Sequence, residues 1–336
     1  MVSTKLEIYQ IGLNPVKRSA SSSFREFLSL LYPIGSGAPS DSSLFGDLLR
    51  LFITKADTDQ FIKDERSKKA FAAYDTRPTE SISNPSVSLL SERSAIYGFV
   101  EGGPYGRSRN TANVDNKASK ETIPSDSVIS TRFFFLFHAP LGSKTGILFL
   151  QSYSGETISS VFVDFMRDIL SLEGSYKKAK AQKYIPSVFK EQVKENSTIK
   201  ALSYTKDCLG SEITSEPEFQ QETDIFTVKV TITSKRGRPK TEFRRLAEVF
   251  ANTQFAKTVL SAFKGRVRIE DERNAKSTSF DIDRDFDISP IIYLDDLISH
   301  DAEGRPNIEE LRDYCLNLLE TQIRRDVYPN ESISEC

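Results

Sequence analysis

Residues 131–153, TRFFFLFHAPLGSKTGILFLQSY, form the most apolar stretch of the chain and indicate its fold class. Two runs rich in aromatic and branched residues, TRFFFLFHAP and ILFLQSY, are separated by LGSKTG, which predicts a β-hairpin. The next segment, 156–170, repeats apolar residues at helical spacing and predicts an amphipathic helix. Consecutive antiparallel strands followed by a helix differ from the alternating crossover units of doubly wound folds. The sequence therefore predicts an α+β fold of antiparallel sheets with packed amphipathic helices.

The residues before this stretch predict further elements of the same kind. The opening KLEIYQIGL favours a strand, and apolar residues recur at helical spacing in 22–31 and 42–52, which predicts two short helices. Segments 76–94 and 106–130 are rich in polar and turn-forming residues, so we expect both to be loops.

A composition change after Gly174 predicts a domain boundary. We expect an N-terminal α+β domain over 1–174 with the apolar hairpin, and a C-terminal α+β domain over 175–336. In the second domain the patterns predict strands in 198–204 and in DIFTVKVTITSK, and a helix over 240–263. RVRIEDE and TSFDIDRD predict a strand pair, and 308–327 predicts a final helix.

The totals indicate a soluble cytoplasmic protein. The 336 residues are 38% hydrophobic and 27% charged, without an apolar run of the roughly 18 residues that a membrane span requires. The N-terminus lacks the continuous apolar block of a signal peptide, so we expect no direct membrane insertion. The three cysteines, Cys208, Cys315 and Cys336, lie far apart and fit a reducing compartment rather than a disulfide framework.

Charge is distributed unevenly although the net charge is only -2. Residues 229–268 contain eleven Lys or Arg against two Glu, a net charge of +9, whereas 270–313 contain fourteen Asp or Glu against five Arg or Lys, a net charge of -9. A cluster of positive charge is typical of a nucleic-acid footprint, because neutralising phosphates releases counterions. The alternative is that the basic and acidic blocks neutralise each other within the fold.

Residues 234–240 of the basic block read SKRGRPK. The R-G-R-P core resembles the AT-hook, an extended element whose arginines enter the narrow minor groove of A·T-rich DNA. The alternative is a solvated turn between a strand and a helix. We expect DNA contacts in this region from the following residues: Lys235, Arg236, Arg238, Lys240, Arg244, Arg245, Arg266 and Arg268.

Catalytic chemistry has no clear set of residues in this sequence. Asp281, Asp283, Asp285 and Asp287 alternate as the residues on one side of a strand do, and such a row either binds a divalent cation or forms an exposed acidic face. LGSKTG lacks the glycine spacing of a phosphate-binding loop, and zinc-site and nucleophile-elbow motifs are absent. We expect no catalytic residue, no metal site and no cofactor, with His138 as a core residue.

The stretch FVEGGPYG at 99–106, with the order of elements over 95–330, resembles the RexA-type phage-exclusion proteins, in which a similar F-V-E-G-x-x-x-G segment occurs. DNA-binding defence proteins of the KwaB type share the same features. The resemblance implies a dimeric, cytoplasmic, sequence-tolerant DNA-binding protein of bacterial antiviral defence that acts with a membrane protein encoded nearby. The polar residues 107–130 depart from the pattern.

Three functions stay open at this point. The first is a non-catalytic DNA-binding protein of anti-phage defence that contacts phosphates through the eight basic residues named above. The second is a metal-dependent nuclease using Asp281, Asp283 and Asp285. The third is a protein-interaction subunit in which the basic and acidic blocks pair across a dimer.

Overall fold

The computed structural model describes the chain as two compact units. The first combines Met1–Tyr184 with Ile291–Cys336, and the second is Ile185–Pro290. The ranges described are 3–16, 22–31, 40–56, 60–73, 86–209, 225–233, 264–271, 277–282 and 291–328. This division differs from the predicted boundary at 174, because residues on both sides of the second unit join the same sheet in the first.

The first unit is built on one antiparallel sheet. Its strands are β1 (Thr4–Pro15), β2 (Ile62–Asp64), β3 (Lys69–Ala73), β4 (Val87–Leu90), β5 (Ala95–Pro104), β8 (Thr131–His138), β9 (Thr145–Tyr153), β10 (Tyr176–Tyr184) and β15 (Ile292–Tyr293). A separate hairpin consists of β6 (Arg109–Asn113) and β7 (Asn116–Ile123). In the described chain the sheet order is β10-β1-β9-β8-β5-β3-β2, with β15 also pairing with β1 and β4 also pairing with β5.

In the sequence, the second unit lies between two segments of the first unit that both pair with β1. Tyr184, the last residue of β10, lies opposite Ile8 of β1, and Ile292 of β15 lies opposite Leu6. Both segments run antiparallel to β1 along the same side, so they are two parts of one interrupted edge strand. The chain leaves the first unit between them and returns two register positions further along β1.

Helices cover both faces of the large sheet. They are α1 (Phe24–Leu31), α2 (Asp41–Ala56), α3 (Ser159–Ile169) and, near the C-terminus, α5 (Ile308–Leu318), which continues through a π turn (Leu319–Ile323) into α6 (Arg324–Val327). The helix α4 (Ser187–Asn196) belongs to the second unit. The four helices predicted over 22–31, 42–52, 156–170 and 308–327 are confirmed, with ends shifted by a few residues.

The apolar hairpin predicted at 131–153 is confirmed as β8 and β9, and it forms the centre of the core. Phe135 stacks on Phe52 of α2 at a ring-centroid distance of 4.9 Å and contacts Phe162 of α3 at 5.2 Å. On the opposite face His138 contacts Tyr328, which follows α6, at 5.8 Å. Because both faces are buried, the strand carries consecutive apolar residues instead of alternating ones. The fold class is α+β, as predicted.

Two predicted loops contain strands. Residues 106–130 include the β6–β7 hairpin, so the prediction of a loop there is wrong. This hairpin has no buried face and therefore no hydrophobic alternation in its sequence. Of the other predicted loop, 76–94, residues up to 85 lie outside the described chain, while 87–90 form β4, a short segment paired with β5.

The second unit contains a four-stranded antiparallel sheet. Its strands are β11 (Ser197–Leu209), β12 (Ile225–Thr233), β13 (Lys264–Asp271) and β14 (Ser277–Ile282), in the order β12-β11-β13-β14. The strands predicted at 198–204 and in DIFTVKVTITSK are confirmed, and so is the pair formed by RVRIEDE and TSFDIDRD. The helix predicted over 240–263 lies outside the described residues.

Candidate nucleic-acid interface

Two of the eight residues predicted to contact DNA lie within the part of the chain that the structure describes. Arg266 and Arg268 belong to β13 in the second unit's sheet. The other six lie outside the described residues, together with the whole SKRGRPK segment: Lys235, Arg236, Arg238, Lys240, Arg244 and Arg245.

The backbone register brings further basic residues beside these two arginines. Lys229 of β12 lies opposite Thr205 of β11, and Thr205 lies opposite Lys264 of β13. One row further, Thr231 lies opposite Ser203, and Ser203 lies opposite Arg266. In the third row Thr233, Ala201, Arg268 and Ser279 are in register across the four strands.

Residues in register on adjacent antiparallel strands share a face of the sheet, as do residues two apart on one strand. Four basic residues therefore occupy positions on one face, which we call the basic face: Lys229, Lys264, Arg266 and Arg268. Strands lie about 4.8 Å apart and residues of one face about 6.7 Å apart along a strand, so the four positions fall within roughly 17 Å.

The described side chains of this face are polar and accessible. Thr227, Lys229 and Thr231 of β12 are exposed. The hydroxyl groups of Ser203 and Thr231 are 3.2 Å apart. The intervening positions of β12 are occupied by valine and isoleucine, so the strand alternates between one apolar and one polar face. A polar face with clustered cations favours binding of a polyanion.

Sequence reasoning did not select Lys229 and Lys264 as contact residues. Both were part of the basic window, and the alternation in β12 already assigned Lys229 to the polar face. The signal for Lys264 was weaker, because its place on this face depends on how β13 pairs with β11. That pairing joins residues about sixty positions apart in sequence, and the sequence of neither strand indicates its partner.

Three acidic residues also occupy positions on this face: Asp207 of β11, two residues beyond Thr205; Glu270 of β13, two residues beyond Arg268; and Asp281 of β14. Asp281 of β14 lies directly opposite Arg266. The other members of the predicted acidic row, Asp283, Asp285 and Asp287, are outside the described residues. Among the residues that the structure describes, no group of three or more His, Cys, Asp or Glu is arranged to hold a metal ion.

The glycine-rich segment at 99–106 has a structural role in β5. A Cβ added to Gly103 would overlap the backbone carbonyl oxygen of Ile129, so only glycine allows the chain to pass this close. Gly106 has a φ of +88°, a conformation that favours glycine. The strand extends through Pro104, and Arg107 and Arg109 beyond it are exposed.

His138 is a core residue, as predicted, with only 4% of its surface exposed. Its Nδ1 lies 2.8 Å from the carbonyl oxygen of Arg93, and because a carbonyl only accepts, Nδ1 carries the proton. Its Nε2 is buried without a hydrogen-bond partner in the described chain. Burial lowers the pKa of His138 to about 4, so the ring is neutral near pH 7.

Comparisons with known proteins give this chain no relative: no family model, no curated protein and no solved structure matches it. Within the described ranges, none of the helices has the length and apolar character needed to cross a bilayer.

Proposed function

We propose that the protein binds DNA with little sequence preference, through phosphate contacts made by the basic face and by the basic residues that follow β12 in sequence. The observation that carries the proposal is the register that assembles Lys229, Lys264, Arg266 and Arg268 on one face of an antiparallel sheet. Lysine and arginine bind phosphate oxygens irrespective of the bases, so this chemistry supports affinity without sequence readout.

The proposal includes a role in bacterial antiviral defence, as a dimer acting with a membrane protein. Its support is the resemblance of FVEGGPYG to phage-exclusion proteins. Plaque counts on cells carrying the gene and its neighbours test this part. Equal plaquing with and without the gene, across several phages, would contradict it.

The DNA-binding part is tested by fluorescence anisotropy with labelled single- and double-stranded DNA at several salt concentrations. In the face variant, Lys229, Arg266 and Arg268 are replaced by Gln. Each phosphate contact contributes about 0.9 to the slope of log affinity against log salt on duplex DNA, so we expect the slope to fall by about 2.7. The dissociation constant should rise on the order of 100-fold near 0.15 M salt.

A control variant removes the same charge from exposed lysines elsewhere: Lys55, Lys144 and Lys180 are replaced by Gln. It should bind DNA with a nearly unchanged slope. Equal losses in the two variants would mean that total charge, not the basic face, governs binding. Recovery of intact plasmid after incubation with Mg²⁺ or Mn²⁺ separates a binding protein from the alternative, a metal-dependent nuclease.

One observation favours the other alternative, a protein-interaction subunit in which the basic and acidic blocks pair across a dimer. Asp281 lies opposite Arg266, so the two blocks already meet inside one sheet. If the basic face serves only to pair with acidic residues, the wild-type protein will show no DNA affinity even at low salt.

A further inference from the structure

The β6–β7 hairpin, residues 106–123 and here called the arm, projects from the first unit. Every described side chain from Gly106 to Thr122 is exposed. The two strands form a sheet of their own and pair with no other described strand. The arm therefore contributes nothing to the hydrophobic core.

The bonds within the arm are polar and local. The hydroxyl of Thr122 donates to Asn110 Oδ1 at 3.0 Å, and the hydroxyl of Ser119 donates to the carbonyl oxygen of Asn116 at 2.9 Å. A two-stranded hairpin with no hydrophobic face is at best marginally stable in water. Its ordering is not offset by buried apolar area, so a partner that covers the arm would contribute to holding it in place.

The root of the arm is fixed by backbone hydrogen bonds. The amide of Gly106 donates to the carbonyl oxygen of Ser125 at 2.7 Å, and the amide of Tyr105 donates to the carbonyl oxygen of Lys68 at 3.0 Å. The ammonium of Lys68 lies 5.6 Å from the centre of the Tyr105 ring. An exposed ribbon thus extends from a well-anchored base.

The chemistry of the arm selects the class of partner. Residues 107–123 contain four basic and two acidic residues, a net charge of +2, and most of the others are Asn, Ser or Thr. Arg107, Arg109 and Lys120 form no ion pair with any described residue. Val114, at the turn, is fully exposed. Protein interfaces centre on an apolar, charge-depleted patch, which the arm lacks, whereas cations, amides and hydroxyls are the groups that bind phosphates.

The dimensions of the arm fit duplex DNA. Two strands about 4.8 Å apart, with their side chains, make a ribbon roughly 10 Å wide, and the major groove is about 12 Å wide and admits a two-stranded ribbon. We propose that the arm is a second DNA-binding element that enters the major groove of duplex DNA and contacts phosphates through Arg107, Arg109 and Lys120. This inference rests on the proposed function and adds the form of DNA that the protein prefers.

The arm variant, in which Arg107, Arg109 and Lys120 are replaced by Gln, tests the inference in the full-length protein. All three side chains are exposed, so the variant should melt like the wild type. We expect its dissociation constant for a labelled random-sequence duplex to rise on the order of 10- to 100-fold, with a lower salt slope. Single strands have no groove, so their binding should change by less than about threefold.

Comparing the arm, face and control variants separates the two proposals. Duplex binding that is lost in the face variant and unchanged in the arm variant overturns the arm inference and leaves the proposed function standing. Loss of duplex binding in the arm variant alone supports the arm inference and overturns the proposed role of the basic face. Equal weakening of single and double strands by the arm variant overturns groove entry. A wild-type protein that binds single strands but not duplexes overturns the arm inference alone, and one that binds neither form of DNA overturns both.

Discussion

At the scale of the residue, His138 shows how a histidine can be structural. One ring nitrogen donates to the carbonyl oxygen of Arg93 and the other is buried without a partner in the described chain. A second proton on this ring would be buried without a hydrogen-bond acceptor in the described chain, which disfavours the charged form. The residue is therefore suited to the core and unsuited to proton transfer at neutral pH.

Burial of His138 makes stability depend on pH. Its pKa is about 4 in the folded protein and about 6.5 in an unfolded chain. Above pH 6.5 both states hold a neutral ring. As the pH falls from 6.5 to 4 the unfolded state takes up a proton first, so the free energy of unfolding should decrease by about 3 kcal/mol in total.

Denaturant titrations over this pH range measure the effect. Replacing His138 by Phe should flatten the decrease, whereas replacing the chain's other histidine, His300, by Gln provides the matched control. A profile that is as steep in His138→Phe as in the wild type would show that other groups cause the decrease.

Asp281 gives a second prediction at this scale, because it is the acidic residue of the basic face that lies directly opposite Arg266. Asp281→Asn removes a negative charge opposite Arg266 and should increase DNA affinity roughly 3- to 10-fold at low salt. Glu173→Gln, an exposed change of the same charge in the first unit, should have little effect. Weaker binding by Asp281→Asn would indicate that the carboxylate supports the face instead of opposing it.

At the scale of the element, β5 depends on close backbone approach. Gly103→Ala would bring its methyl group onto the carbonyl of Ile129, so the strand or its neighbour must move. We expect a loss of about 1–3 kcal/mol in the free energy of unfolding. The matched control is Gly12→Ala in β1, where an added Cβ meets no atom within 4 Å.

Thermal or denaturant unfolding of the two glycine variants gives the comparison. Gly12→Ala should be neutral or slightly stabilising, because alanine lowers the entropy of the unfolded chain. Equal stability of the two variants would refute the steric role assigned to Gly103.

At the scale of the whole molecule, the second unit interrupts an edge strand of the first. The register of β1 leaves one position between Tyr184 and Ile292. Removing 186–291 leaves Ile185 to fill that position and should produce a continuous strand. We expect the shortened chain to retain a cooperative thermal transition.

The matched control removes one residue more, 185–291, so that Ile292 directly follows Tyr184. Its register then slips by one residue, which turns each following side chain to the other face of the sheet. This chain should melt at a lower temperature. Equal melting temperatures of the two shortened chains, or loss of cooperative unfolding in the first, would show that β10 and β15 are not two parts of one strand.

The sequence by itself determined the fold class, the central hairpin, the helices of the first unit and the strands of the second. Each of these elements shows either a periodic pattern of apolar residues or a long apolar run, because one or both of its faces are buried. The polar arm had no such pattern, because none of its faces is buried, and its residues resembled a loop.

Only the tertiary structure decided which residues meet. The return of the chain to pair β15 with β1, and the rows that join Lys229, Lys264 and Arg266, link positions far apart in sequence. Strand pairing of this kind depends on the packing of the whole sheet, and a local segment fits many partners equally well. Composition therefore predicted a basic region, and the register defined its face.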